Sequence, residues 1–216
     1  MPSSRRGRAV ALALVTGVAL LSVQVALAES PVVRFNAADQ TAAKAVVLKA
    51  ADLGPGWKGG LKKPDMKDDT VCPGYNPKQS DLVVTGAAES EFTAPGIMVS
   101  SLVHVMQTPR MLQVDWQRNV ADPRVVGCFK KVLPADEVVS VKRMPFAKLT
   151  PFATRFRLLL DYKGADGTTR VLMDMVAVGR GRTEMMLIVA LPYSQRAGID
   201  AAEVRLARIM LGRARA

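Results

Sequence analysis

The chain has 216 residues, 30 of them Lys or Arg against 19 Asp or Glu, which leaves a net charge of +11 at neutral pH. Its two cysteines form no CxxC and share no zinc-type spacing with the single histidine, so neither a dithiol redox centre nor a zinc site is expected. The basic residues, among them Lys62, Lys63, Lys130, Lys131, Lys142, Arg143, Arg205, Arg208, Arg213 and Arg215, are scattered over different predicted elements, as on a solvated surface.

Arg5, Arg6 and Arg8 precede an uncharged run from Ala9 to Ala28 that ends in Ala26-Leu27-Ala28. A basic start, an apolar middle and a small-x-small exit form a secretory signal peptide, so residues 1–28 are excluded from the fold and cleavage is predicted after Ala28. Left uncleaved, the same run is long enough to be an N-terminal membrane anchor. No cysteine follows the exit, so no bacterial lipoprotein anchor is expected, while the Sec and twin-arginine routes both stay open. With three basic residues and no acid removed, residues 29–216 form one domain of net charge +8. Export argues against nucleic acid and for an anionic membrane, wall polymer or acidic protein as the counter-charge.

Asn36 can cap a helix carrying Ala42, Val46, Ala50 and Leu53, stopped by Gly54-Pro55. Residues 54–81 then read as a long loop, which Cys72 would tie to Cys128 in an oxidising compartment. That bridge is expected to contribute about 4 kcal/mol in the chain-entropy model. Leu82–Thr93 and Ile97–Met106 are strands joined by a turn at Ala94-Pro-Gly96 that sets Phe92 opposite Val99, Ser90 opposite Ser101 and Ala88 opposite Val103. Thr108-Pro109 starts a helix with a buried stripe of Leu112, Trp116 and Val120. Asp122-Pro123 repeats the signal for a helix lined by Val125, Phe129, Val132 and Leu133.

Glu137–Arg143 is a short edge strand, and Phe152–Leu191 reads as a three-stranded meander. In its first strand Phe152, Phe156, Leu158, Leu160 and Tyr162 share one face, while Arg155, Arg157 and Asp161 share the other. Placing Asp161 opposite Arg170 also sets Arg157 opposite Asp174, Leu158 opposite Met173 and Phe156 opposite Met175. Thr183–Leu191 is apolar on both faces and needs cover on both sides. Asp200-Ala-Ala-Glu203 reads as a capping box with Asp200 at the cap, opening a last helix that Gly212 closes. The expected fold is α+β, a mainly antiparallel sheet of five to six strands with helices on both faces, in the order α-β-β-α-α-β-β-β-β-α and with one disulfide.

No catalytic set emerges. His104 sits in mid-strand beside Ser100 and reads as structural, and Ser90 and Ser194 lack a G-x-S-x-G context. Asp65, Asp68 and Asp69 lack calcium-loop spacing and are neutralised by Lys62, Lys63 and Lys67. Gly179-Arg-Gly-Arg182 is a hairpin turn rather than a phosphate cradle, and Asp161 and Asp174 are exposed partners of arginines rather than acid/base carboxylates. Trp116 is core. Trp57 and Tyr75, on the loop, are the candidate ligand-binding residues, with packing beneath the loop as their alternative role. No metal or cofactor is expected.

The run Leu48-Lys-Ala-Ala-Asp-Leu-Gly-Pro-Gly-Trp57, the block Asp81–Phe92, Asp115-Trp116-Gln-Arg118 and Cys128 resemble secreted actinobacterial-type proteins of uncharacterised function. The order of elements is similar to that of extracellular sensor domains of bacterial Ser/Thr kinases and of Mog1/PsbP-like envelope lipoproteins. The resemblance implies an α+β sandwich used for binding. The chain departs from those groups in having one expected disulfide rather than two, no lipobox and no kinase domain. The expectation is a monomeric, secreted, non-enzymatic binding module of the cell envelope for an anionic or apolar ligand or a protein. The alternatives are a hydrolase built on His104 with Ser or Asp residues, and an envelope assembly protein that pairs through a sheet edge.

Overall fold

The computed structural model describes residues 30–66, 72, 74–164 and 167–214. The expected signal segment, Lys67, Asp68, Asp69 and the tip of the Lys163–Gly167 turn lie outside the described residues. Along the chain come β1 (Val32–Val33), α1 (Ala37–Val46), α2 (Ala50–Leu53), β2 (Lys58–Lys62), β3 (Val83–Ala94), β4 (Ile97–Met106), α3 (Pro109–Asp115), a π-helical turn (Trp116–Ala121) and α4 (Arg124–Val132). Then follow β5 (Val138–Met144), β6 (Phe152–Gly164), β7 (Gly167–Arg180), β8 (Thr183–Pro192), a 3-10 turn (Tyr193–Gln195) and α5 (Ile199–Arg213).

The fold is α+β. Its eight-stranded sheet runs β1-β3-β4-β8-β7-β6-β5, with β2 also paired to β3, and every pairing but β1–β3 is antiparallel. Eight strands exceed the five to six expected, because β1 and β2 were not read. β1 is two residues long, and Lys58-Gly-Gly-Leu-Lys62 lacks the apolar alternation that marks a strand. Both cover the outer edge of β3. Between them Gly86 lets α1 approach so closely that a Cβ there would lie 2.3 Å from the Asp39 carbonyl oxygen.

The two expected registers are those observed. Phe92, Ser90 and Ala88 face Val99, Ser101 and Val103, and Asp161, Leu158, Arg157 and Phe156 face Arg170, Met173, Asp174 and Met175. In β7, Leu172, Val176 and Val178 pack under α1 and α5, while Val171, Met173, Met175 and Ala177 pack under the π turn and α4. Helices on both sides of the sheet are therefore required by a central strand that is apolar on both faces.

Two helix boundaries differ from expectation. The first helix stops at Val46, because Val46, Val47 and Leu48 are all buried and three consecutive residues cannot share one helical face. The chain extends instead, and the Leu48 amide donates to Ser101 Oγ (2.9 Å), itself 2.8 Å from Ser90 Oγ. In α5 the cap position is Gly198, at φ 79°, so Asp200 lies inside the first turn and is not its cap.

Candidate functional site

Asn36 accepts from the Asp39 amide and Thr108 from the Met111 amide, so the caps of α1 and α3 are made by the residues expected. Asp122 Oδ1 accepts from the Arg124 amide at the start of α4. The bridge Cys72–Cys128 is present, with Cα atoms 5.4 Å apart, and it pins the loop to α4.

Trp57 and Tyr75 do not come together. Trp57 is half-buried against the cluster under α1 and α5, whereas Tyr75 belongs to the cluster on the opposite side of the sheet. Tyr75 is only 5% exposed, the packing beneath the loop that is its alternative role. Burial pushes its phenol up to about 12, and the Arg124 guanidinium lies 4.9 Å from its ring centroid.

His104 projects from β4 toward α3 and the π turn. Its cross-strand partner is Glu184, and burial lowers its pKa while the charge of Asp115 works the other way. Burial, and then the neighbouring Asp115, raises Glu184 well above the carboxylate range. Asp115 in turn accepts from Asn119 Nδ2 at 2.5 Å. Ser100 shares the strand face but lies four residues away, about 13 Å at 3.3 Å per residue, which is too far to be activated by His104. Among the described residues His104 Nε2 is buried and makes no hydrogen bond to a nucleophile.

The expected cross-strand pairs form, but one is not exposed. Asp161 accepts two 2.8 Å bonds from Arg170 at the surface. Asp174 is 0% exposed and is gripped by Arg157 through Nε (2.8 Å) and Nη2 (2.5 Å). Arg155 is likewise buried rather than solvent-facing, at 5% exposure. The reason is α5, which lies over this face of β6 and β7 and brings its own acids: Arg155 Nη1 donates to Asp200 Oδ1 (2.5 Å) and Glu203 Oε2 (2.9 Å), and Arg157 Nη2 donates to Asp200 Oδ1 (2.8 Å).

Asp174, Asp200 and Glu203 present carboxyl oxygens within 4.8 Å of one another, a spacing compatible with a cation. Arg155 Nη1 already stands 3.9, 2.5 and 2.9 Å from those three groups, so a guanidinium occupies the position that a metal would take. The cluster seats α5 on the sheet. Its sequence signal is the pair Asp200 and Glu203, which reads as a local cap because the sequence does not reveal two arginines 45 and 43 residues before Asp200.

Outside that seat, the exposed side of α5 forms a shallow open groove lined by Asp200, Ala201, Val204, Arg205, Arg208 and Ile209. Three acids of the helical layer are turned inward onto arginines, Asp39 onto Arg182, Asp52 onto Arg213 and Glu203 onto Arg155, while Asp200 bonds Arg155 and Arg157 from an exposed position at the groove. Lys44, Lys49, Arg205 and Arg208 remain exposed on the same layer. Arg208 has no ion-pair partner among the described residues. Among the described residues no helix is long and apolar enough to cross a membrane. No family model and no curated protein matches the chain.

Proposed function

We propose that this chain is a secreted, non-enzymatic binding module of the cell envelope, and that the outer face of α5 meets an anionic, partly apolar ligand such as an anionic lipid. The observation that carries this reading is the groove in which Arg205 and Arg208 flank Val204 and Ile209, with the charge of Asp200 at its end offset by Arg155 and Arg157. A cationic rim over an apolar floor suits a molecule with a charged head and a hydrocarbon body. The inward pairing of Asp39, Asp52 and Glu203 leaves the layer's outer field positive, which attracts anions over a Debye length. A hydrolase built on His104 has less support, since Ser100 is about 13 Å along the strand and the acids beside the imidazole hold one another.

Co-sedimentation of the secreted form with phosphatidylglycerol vesicles, against phosphatidylcholine vesicles, tests the reading. Saturable binding to the anionic vesicles alone is expected, weakening with added salt. Reversing Arg208 to Glu should weaken it on the order of tenfold, since each basic residue at an anionic surface contributes about 1 kcal/mol. Equal binding to both vesicle types, or none, would overturn it.

A further inference from the structure

The seat of α5 sets two buried carboxyls, Asp174 and Glu203, within 4.8 Å of each other. Arg155 and Arg157 supply two positive charges from β6, Asp174 one carboxyl from β7, and Asp200 and Glu203 two more from α5. Pro145 adds a carbonyl that accepts from Arg155 Nη2, and the Phe146 ring lies 6.0 Å from the Arg155 guanidinium. β8 and α1, also packed on α5, bring no titratable group into hydrogen-bond or ion-pair contact with Glu203 among the described residues.

Asp200 is exposed and solvated, so the buried acids of the seat are Asp174 and Glu203, both 0% exposed, and each would carry its charge out of water if ionised. Glu203 Oε2 takes its bond from Arg155, but Oε1 is buried and no donor reaches it among the described residues. The neighbouring carboxyl is that of Asp174, another acceptor, with oxygens of the two groups within 4.8 Å. A single proton on Glu203 resolves this: it makes Glu203 a donor to Asp174 and spares one buried charge.

We infer that Glu203 and Asp174 share a proton that latches the first turn of α5 to the sheet, and that alkaline pH opens this latch. Burial, followed by the hydrogen bond and charge of Asp174, pushes Glu203 up to about 8, in line with the geometry. A carboxyl raised on folding makes a contribution that is whole below its ordinary value of 4.5 and declines as pH rises through about 8. Above that pH the ionised Glu203 and Asp174 repel beside Arg155 Nη1, which stands 2.9 Å from the first but 3.9 Å from the second, and the repulsion falls on the helix rather than on β7, which is held by pairing on both edges. The inference stands whether or not the α5 groove takes an anionic ligand.

Carboxyl 13C titration of the full secreted chain gives the direct test. Glu203 should be protonated at pH 6 and lose its proton near pH 8, and a carboxylate already ionised at pH 6 would overturn the latch. Amide exchange over residues 199–204 provides the second readout. Between pH 7 and 9 it should accelerate on the order of tenfold beyond the intrinsic base-catalysed increase. Glu203→Gln keeps a donor toward Asp174 without a titrating proton, so that extra acceleration should vanish in the variant. If Glu203→Gln and the wild-type protein show the same pH profile, the latch is not there.

Discussion

Arg182 and Asp39, 143 residues apart, meet in a two-pronged ion pair, with Nη2 2.5 Å from Oδ1 and Nη1 2.9 Å from Oδ2. The pair ties the β7–β8 hairpin to the first turn of α1, and Arg182 Nη1 also donates to the Met106 carbonyl (3.2 Å). It joins three segments far apart in the chain at the point where α1 crosses the sheet edge.

The arginine's hydrogen bond holds the Asp39 carboxyl down at about 2, against an ordinary value of 3.8, while burial opposes it. A depressed acid stabilises the fold above its unfolded value, and that contribution is lost as pH falls from about 4 through about 2. The expected size is ~2 kcal/mol for a side chain this well buried. Asp39→Asn should flatten the acid limb of a urea-unfolding series taken between pH 2 and 5, and an unchanged limb would show that the pair is energetically silent.

Reducing the Cys72–Cys128 bridge releases the loop that carries Tyr75 from α4. Loop-entropy reasoning puts the loss at about 2–4 kcal/mol. Thermal melts with and without a thiol reductant should show a clear drop in midpoint, with the double variant Cys72→Ser, Cys128→Ser reproducing it. Sheet signals in far-UV circular dichroism should persist below the new midpoint, because Cys72 lies outside the main strands.

The buried serine pair separates two roles that look alike. Ser101 Oγ accepts from the Leu48 amide, so Ser101→Ala leaves a buried N–H without its acceptor, at a cost of about 1–3 kcal/mol. Ser90 touches only the other hydroxyl, so Ser90→Ala removes one exchangeable bond, ~1 kcal/mol. Chemical denaturation of both variants should rank Ser101→Ala as the more damaging, and the reverse order would place the support for the α1–α2 break elsewhere.

These cases also separate what could be read in advance from what could not. Strand registers were legible because the period is two and short turns fix the pairing: one Pro-Gly turn was enough to place Ser90 on Ser101, and two charge pairs agreed on the β6–β7 alignment. Which face an arginine looks toward depends on what covers that face. Arg155 and Arg157 share the polar side of β6, and only the docking of α5 makes that side an interior. For the same reason Asp200 and Glu203 read as a cap: a local pattern offers a local partner, whereas their actual partners are 45 and 48 residues away. Tyr75 misled by its loop setting, since an irregular segment can be as deeply packed as a strand when a disulfide draws it down.

Two glycines give opposite expectations for one substitution. Gly86 sits where α1 crosses β3, and an added Cβ would lie 2.3 Å from the Asp39 carbonyl oxygen and 2.4 Å from its carbon, both backbone atoms that can retreat only by moving the helix. Gly86→Ala should therefore cost about 1–3 kcal/mol or more through overpacking, and should also weaken the neighbouring bond from the Ala87 amide to Gln40 Oε1 (3.3 Å). Gly127 lies on the exposed side of α4 with nothing within 4 Å of an added Cβ. There the methyl meets only solvent and restricts the unfolded chain, so Gly127→Ala should raise stability by about 0.5–1 kcal/mol. A melting midpoint that rises or stays unchanged in Gly86→Ala would mean that the α1–β3 crossing is looser than its atomic spacing implies, and one that falls in Gly127→Ala would overturn the second expectation.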